Sequence, residues 1–103
     1  MIARLEVHDP EDGTLIAELD CATGRQIDTA LDLGYRAARR PAIPLHQRAS
    51  ILRDVADRLL AQSEAAATTI ATEGIKTIRE ARAEVQRAAF TLRLCAGDAE
   101  RLA

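Results

Sequence analysis

Aromatic side chains are almost absent from this sequence. Tyr35 and Phe90 are the only two, there is no tryptophan, and 21 of the residues behind the 48% hydrophobic content are alanines. A folded chain of about this size buries roughly two-thirds of the surface that its unfolded form exposes. A core of Leu, Ile and Ala with little aromatic filler is therefore marginal by itself. We expect a helical chain that is weakly packed or self-associated.

The sequence also lacks the patterns that carry catalysis or hold a cofactor. Its five glycines are scattered and form neither a dinucleotide-binding fingerprint nor a Walker A loop. His8 and His46 have no Cys, Asp or Glu at metal-ligand spacing. Cys21 and Cys95 lie far apart, so two buried free thiols are expected rather than a disulfide, with Cys95 an inert thiol on an apolar stripe. We predict no catalytic, cofactor-binding or metal-binding residue in the chain.

Strong charge of one sign and long apolar runs are missing as well. The formal net charge is −2 and the basic residues are spread along the sequence, which argues against nucleic-acid binding. The longest apolar runs are far too short to span a bilayer, and Met1–Arg4 does not resemble a signal peptide. The sequence predicts no membrane association and a cytoplasmic location.

Local patterns instead predict a mainly α fold with an N-terminal β-hairpin. Residues 4–20 read as strand, turn and strand, with Asp9–Gly13 as the turn. Residues 23–103 read as a helical segment of about four helices. We expect residues 1–103 to form a single partial domain, since no Gly/Ser linker or repeat interrupts them.

Helix boundaries follow from capping signals. Thr23 and Thr77 each precede Gln26 or Glu80 by three residues, which is the capping-box spacing. Ser63 is expected to cap a short helix that runs through Ala71, with Gly74 as its left-handed terminator. Glu80 and Glu84 lie one turn apart among arginines at 79, 82 and 87, and are expected to form solvated ion pairs with them rather than a general acid/base pair.

Apolar side chains recur at helical spacing through these segments. The clearest stripes are Leu45, Ala49, Leu52, Val55, Ala56, Leu59 and Leu60, and then Ile78, Ala81, Val85, Ala88, Ala89, Leu92, Cys95, Ala96, Ala99 and Leu102.

Four pieces, taken together and in this order, resemble the N-terminal segment of the NAD(P)-dependent aldehyde dehydrogenases. They are EVHDPEDGTLIAELDCAT, a helix that contains IDTA (residues 27–30), PLHQRASILRDVADRL and ATEGIKTIREARAEVQRAAFTLRLCAGDAERL. The resemblance covers residues 5–103. The last helix is most similar to the lactaldehyde, phosphonoacetaldehyde and non-phosphorylating glyceraldehyde-3-phosphate dehydrogenase branches.

The resemblance implies a part of an α/β nucleotide-binding domain. A complete family enzyme oxidises an aldehyde to a carboxylic acid and passes hydride to NAD or NADP. Its catalytic cysteine, general base, oxyanion-hole asparagine and dinucleotide contacts come later and have no counterpart here; Cys21 and Cys95 match neither position nor context. The chain is thus expected to be an inactive fragment whose partner is the remainder of the enzyme, with self-association possible.

The resemblance also singles out Arg87 as a substrate-binding residue. It falls at the family position that looks into the substrate tunnel, where an arginine suits a carboxylate, phosphate or phosphonate on the aldehyde. Arg87 is two residues past Val85, about 200° round the helix, so it could equally face solvent. An alternative function stays open too: a small helical protein–protein interaction module without catalytic ancestry.

Overall fold

The computed structural model describes residues 2–103, which divide into two compact units that meet between Ala42 and Ile43. The first unit contains β1 (Arg4–His8), β2 (Leu15–Asp20) and α1 (Gly24–Ala38). The second contains α2 (Leu45–Ala61), α3 (Ser63–Gly74) and α4 (Ile78–Arg101). The predicted fold class, mainly α with an N-terminal β-hairpin, is confirmed.

The hairpin forms because two aspartates and a glycine close its turn. Gly13 has φ 76° and its N–H donates to the Asp9 carbonyl at 2.8 Å. The Asp9 and Asp12 carboxylates accept from backbone N–H groups of Glu11 and Thr14. The strands are antiparallel, and the register shifts beyond Val7, where His8 pairs with Leu15 and Ile16 is the extra residue.

α1 is an amphipathic helix with no buried side chain. Its capping box is present as predicted: Gln26 N–H donates to Thr23 Oγ1 and Thr23 N–H donates to Gln26 Oε1. Its apolar residues at helical spacing, Ile27, Leu31 and Tyr35, are each at least half exposed.

The second unit is a three-helix arrangement around an alanine core. α4 packs along α2 and also against α3. α2 and α4 run antiparallel, since Arg53 pairs with Glu100 and Asp57 with Arg93. The fully buried residues are Ala49, Ala56, Ala67, Ala81, Val85, Ala89 and Ala96. Because the contact surfaces carry methyl groups, the helix axes can approach closely.

Three predictions about this unit were wrong. Ser63 does not cap α3: it is the first helical residue, and the preceding Gln62 makes no side-chain cap bond. α3 continues past Ala71 to Gly74, and the left-handed position falls on Ile75, with φ 46° and ψ 58°. A glycine terminator at position 74 would end the helix before that residue. Gly74 instead remains helical, because the N–H of Ile75 donates to the Ala71 carbonyl.

Both cysteines are exposed free thiols rather than buried ones. Cys95 lies six residues past Ala89, about 240° round α4, which places it outside the arc that Ala89 and Ala96 bury. The apolar stripe read from the sequence was therefore wider than the face that packs. In the part of the chain that the structure describes, no helix is both long and apolar enough to cross a bilayer.

Candidate functional site

A cleft of about 450 Å³ opens beside the α3–α4 turn, and Arg87 lines it. The other lining residues are Ile75, Lys76, Glu80, Ala83 and Glu84. All belong to the turn or to the first half of α4, on the side of that helix away from the buried Val85 and Ala89. The sequence prediction for Arg87 left solvent and a binding site open; the structure shows an exposed side chain that also borders a cleft.

The turn that forms one wall is fixed by backbone geometry. The N–H groups of Ile75 and Lys76 both point back to the Ala71 carbonyl, the latter at 3.4 Å. This end of the helix requires Ile75 to adopt a left-handed conformation, which β-branched residues rarely do. The turn therefore delivers Lys76 to the cleft immediately before the Thr77 cap of α4.

Glu80 is committed to the helix cap. Its Oε2 accepts from the N–H and the hydroxyl of Thr77, each at 3.0 Å, while Thr77 Oγ1 accepts from the Glu80 N–H. These hydrogen bonds favour the charged form and lower the pKa of the Glu80 carboxyl. The predicted capping box at Thr77 is confirmed.

Glu84 pairs with Lys76, and their Oε2 and Nζ atoms are 2.5 Å apart. The prediction that the acidic residues of α4 pair with its own arginines was wrong for both Glu80 and Glu84. The arginine between them, Arg82, reaches α3 instead and binds Glu64 through two hydrogen bonds of 2.8 and 3.0 Å. Contacts across helices cannot be read from spacing within one helix.

Arg87 makes no ion pair with any residue among 2–103, in contrast to Arg82 and Arg93 of the same helix. Arg79 is likewise without one, but it does not line the cleft. Arg87 thus offers an uncompensated planar guanidinium at the cleft, a group that pairs with carboxylate, sulfonate or phosphate oxygens through two hydrogen bonds.

Lys76 is the functional candidate that sequence reasoning missed. Lys76 lies within the last of the four pieces that carry the family resemblance, but nothing in the sequence assigned it a role of its own. The available signal was its position between Gly74 and the Thr77 capping box, which places it in a tight interhelical turn two helical turns from Glu84.

A second cleft, also of about 450 Å³, lies at the start of α2 and has an apolar lining. Ile43, Arg48, Ile51 and Leu52 surround it, and the Arg48 Nε donates to the Ile43 carbonyl at 2.8 Å. Neither cleft holds a metal-binding set: within residues 2–103 no three His, Cys, Asp or Glu side chains are grouped so that they could bind an ion.

Comparison with known proteins shows which family the chain matches. The profile of the Aldehyde dehydrogenase family matches residues 2–103. The chain belongs to this family. The family resemblance read from the sequence is therefore confirmed, and an interaction module without catalytic ancestry is disfavoured.

Individual relatives agree with the family match. An aldehyde-dehydrogenase-like protein of Sinorhizobium fredii is 38% identical over 101 residues, covering 97% of this chain and 20% of the relative. Aspartate-semialdehyde dehydrogenase 1 of Pseudomonas canavaninivorans is 35% identical, covering 94% of this chain and 21% of the relative. The 3-sulfolactaldehyde dehydrogenase of Priestia aryabhattai is 38% identical over 86 residues, covering 84% of this chain and 18% of the relative.

The chain thus spans about a fifth of the length of the curated relatives it matches. The particular branch of the family, predicted from the last helix, stays a prediction.

Proposed function

We propose that this chain is a catalytically incomplete N-terminal segment of an aldehyde dehydrogenase. The complete protein would oxidise an aldehyde to a carboxylic acid with NAD or NADP. The observation that carries the proposal is the family match over residues 2–103 together with a span of only a fifth of each relative. As part of the proposal, both units contribute to one partial domain of the larger enzyme, in the cytoplasm.

The residues of this chain do not fit a dinucleotide. α1 follows the hairpin, but its first turn is closed by Thr23 and Gln26 rather than by a glycine-rich loop. The glycines at 13, 24, 34, 74 and 97 are separate and form no glycine-rich phosphate loop. We therefore assign no cofactor residue and no catalytic residue here, and expect the chain alone to be inactive.

The first partner of the chain is then the rest of the enzyme. Support comes from apolar side chains that the described units leave uncovered, on α1 (Ile27, Leu31, Tyr35), on α2 (Ile51, Val55) and just before α2 (Ile43). The same surfaces would favour self-association of the isolated chain.

We assign Arg87 as the residue that anchors the far end of the substrate, a small anionic or hydroxylated aldehyde. Its guanidinium borders the cleft and has no internal ion pair, so an anionic group meets an available charge. Two relatives are named for aldehydes that carry an acidic group, aspartate semialdehyde and 3-sulfolactaldehyde. That chemistry is what a planar two-donor fork recognises.

A chimaera tests this assignment. Residues 2–103 replace the matched fifth of the Priestia 3-sulfolactaldehyde dehydrogenase, and KM is measured for an anionic aldehyde and a neutral one of equal length. Arg87→Met should raise KM for the anionic aldehyde at least tenfold more than for the neutral one, as expected when a charged hydrogen-bond partner of about 1.5–3 kcal/mol is lost.

The matched control is Arg79→Met, which removes another unpaired arginine from the same helix but outside the cleft. It should leave both KM values unchanged. If Arg87→Met affects the two aldehydes equally, or no more than Arg79→Met does, Arg87 is a solvated surface residue.

A further inference from the structure

The cleft at Arg87 contains a second cation. The Lys76 ammonium lines the same space, and one of its three donors is taken by Glu84 at 2.5 Å. Two donors remain for another oxygen. The backbone of Lys76 belongs to the short turn that closes on the Ala71 carbonyl, so the turn determines where this side chain begins.

The two carboxylates of the cleft have different hydrogen-bond partners. Glu80 is held by the N–H and hydroxyl of Thr77, so it serves the cap of α4. Glu84 serves no cap and binds only the Lys76 side chain among the described residues. It lies three residues, one helical turn, before Arg87. Its carboxylate therefore contacts one of the two cations and lines the same cleft as the other.

We propose that Lys76 is the second cation of the Arg87 subsite and that Glu84 competes with the ligand for it. This inference rests on the proposed function of Arg87 and adds which residues set the affinity for the anionic group. The ligand chemistry it favours is a tetrahedral oxyanion, sulfonate or phosphate. Such a group has enough oxygens to occupy the guanidinium fork and still face the ammonium, whereas a carboxylate has two oxygens that the fork alone can fill.

The charge of Glu84 determines whether its replacement raises or lowers the affinity for the anionic ligand. Glu84→Gln keeps the shape of the side chain and removes the negative charge, so the ligand no longer competes for Lys76 and no longer meets a like charge. Exposed ion pairs of this kind correspond to roughly a two- to fivefold change in affinity. Lys76→Gln should weaken binding by a similar factor, and Arg87→Gln should weaken it more.

The experiment is a ¹H–¹⁵N NMR titration of the 103-residue chain with methanesulfonate, methylphosphonate and acetate. The α4 resonances report binding, and a helical circular dichroism spectrum is the folding control for each variant. Glu73→Gln is the matched charge control, since Glu73 is an exposed glutamate of α3 outside the cleft.

Tighter binding of methanesulfonate or methylphosphonate to Glu84→Gln, weaker binding to Lys76→Gln and a smaller gain for acetate support the proposal; which tetrahedral anion binds better identifies the group. Equal effects of Glu84→Gln and Glu73→Gln, or no binding by wild type and Glu84→Gln alike, overturn it. If those variants behave as expected but Arg87→Gln has no effect, the Arg87 assignment fails instead. If only Arg87→Gln weakens binding, that assignment survives and the competition by Glu84 does not exist.

Discussion

At the residue scale, the most informative position is Ile75. It is the only residue other than glycine with a positive φ in the part of the chain described, 2–103, and its side chain is 57% exposed. Little packing therefore offsets the strain of the left-handed conformation. The strained residue immediately precedes Lys76, which lines the cleft.

Replacing Ile75 by glycine should raise the free energy of unfolding of the second unit. A left-handed residue with a Cβ costs about 1–2 kcal/mol, and glycine gives back part of this through the greater freedom of the unfolded chain. We expect a net gain of roughly 0.5–1 kcal/mol in chemical denaturation. Ile75→Ala is the control because it keeps a Cβ at the same φ; equal stability of the Gly and Ala variants would show that this turn is unstrained.

His8 makes one contribution to the pH dependence of the hairpin. Its ring bonds the Glu6 carboxylate at 2.9 Å and the Gly13 carbonyl at 3.0 Å. The Glu6 bond first, then the Gly13 bond, raises the pKa of His8 above its ordinary value. Because the pKa of His8 is higher in the folded state than in the unfolded state, protonated His8 stabilises the fold. This stabilisation is fully present below the unfolded-state pKa and is lost as the pH rises through the folded-state pKa.

The pKa of His8 can be measured directly by NMR of its ring protons as pH increases. It should lie above the ordinary histidine value, and Glu6→Gln should lower it toward that value. A His8 pKa that Glu6→Gln leaves unchanged would mean that the contact is not formed in solution.

At the scale of helices, two features hold the second unit together. Small side chains pack where the helices contact one another, and ion pairs join the helices at the surface. Arg53 and Glu100 join α2 to α4 through two bonds of 2.6 Å, and Arg82 and Glu64 join α3 to α4. The bond from the partner arginine lowers the pKa of each carboxyl, Glu64 and Glu100. Their stabilisation is therefore present above the ordinary carboxyl pKa and fades in acid.

The alanine seam should not tolerate larger side chains. Ala89→Leu places three extra carbons where the native side chain is 1% exposed, which costs about 1–3 kcal/mol when the helices cannot separate. Ala88→Leu is the matched control on the neighbouring, exposed position of α4. We expect a lower denaturation midpoint for Ala89→Leu only; equal midpoints would indicate that the helices are loosely packed.

The sequence predicted the elements well and their partners poorly. The hairpin, four helices and both capping boxes depend on residues a few positions apart, and all were confirmed. The pairing of Glu84 with Lys76 and of Arg82 with Glu64 depends on how helices pack, which spacing does not encode. The apolar stripe predicted on α4 was wider than the buried face of the helix. Residues such as Cys95 lie at the edge of the stripe, where none of the described helices covers them.

At the scale of the whole molecule, the exposed surface is large for two units of this size. The chain exposes 8235 Å². Two separate compact chains of the lengths of these units would together expose about 6,800 Å². The excess is consistent with apolar faces that another surface covers, and with relatives about five times as long.

The central proposal is that this chain is a segment of an aldehyde dehydrogenase that lacks the cofactor site of the complete enzyme. Calorimetric titration with NAD⁺ and NADP⁺ tests it most directly, with the chimaera as the positive control. We predict no heat of binding for the chain alone and saturable binding of one dinucleotide by the chimaera. A micromolar dissociation constant for either cofactor on the isolated chain would contradict the account.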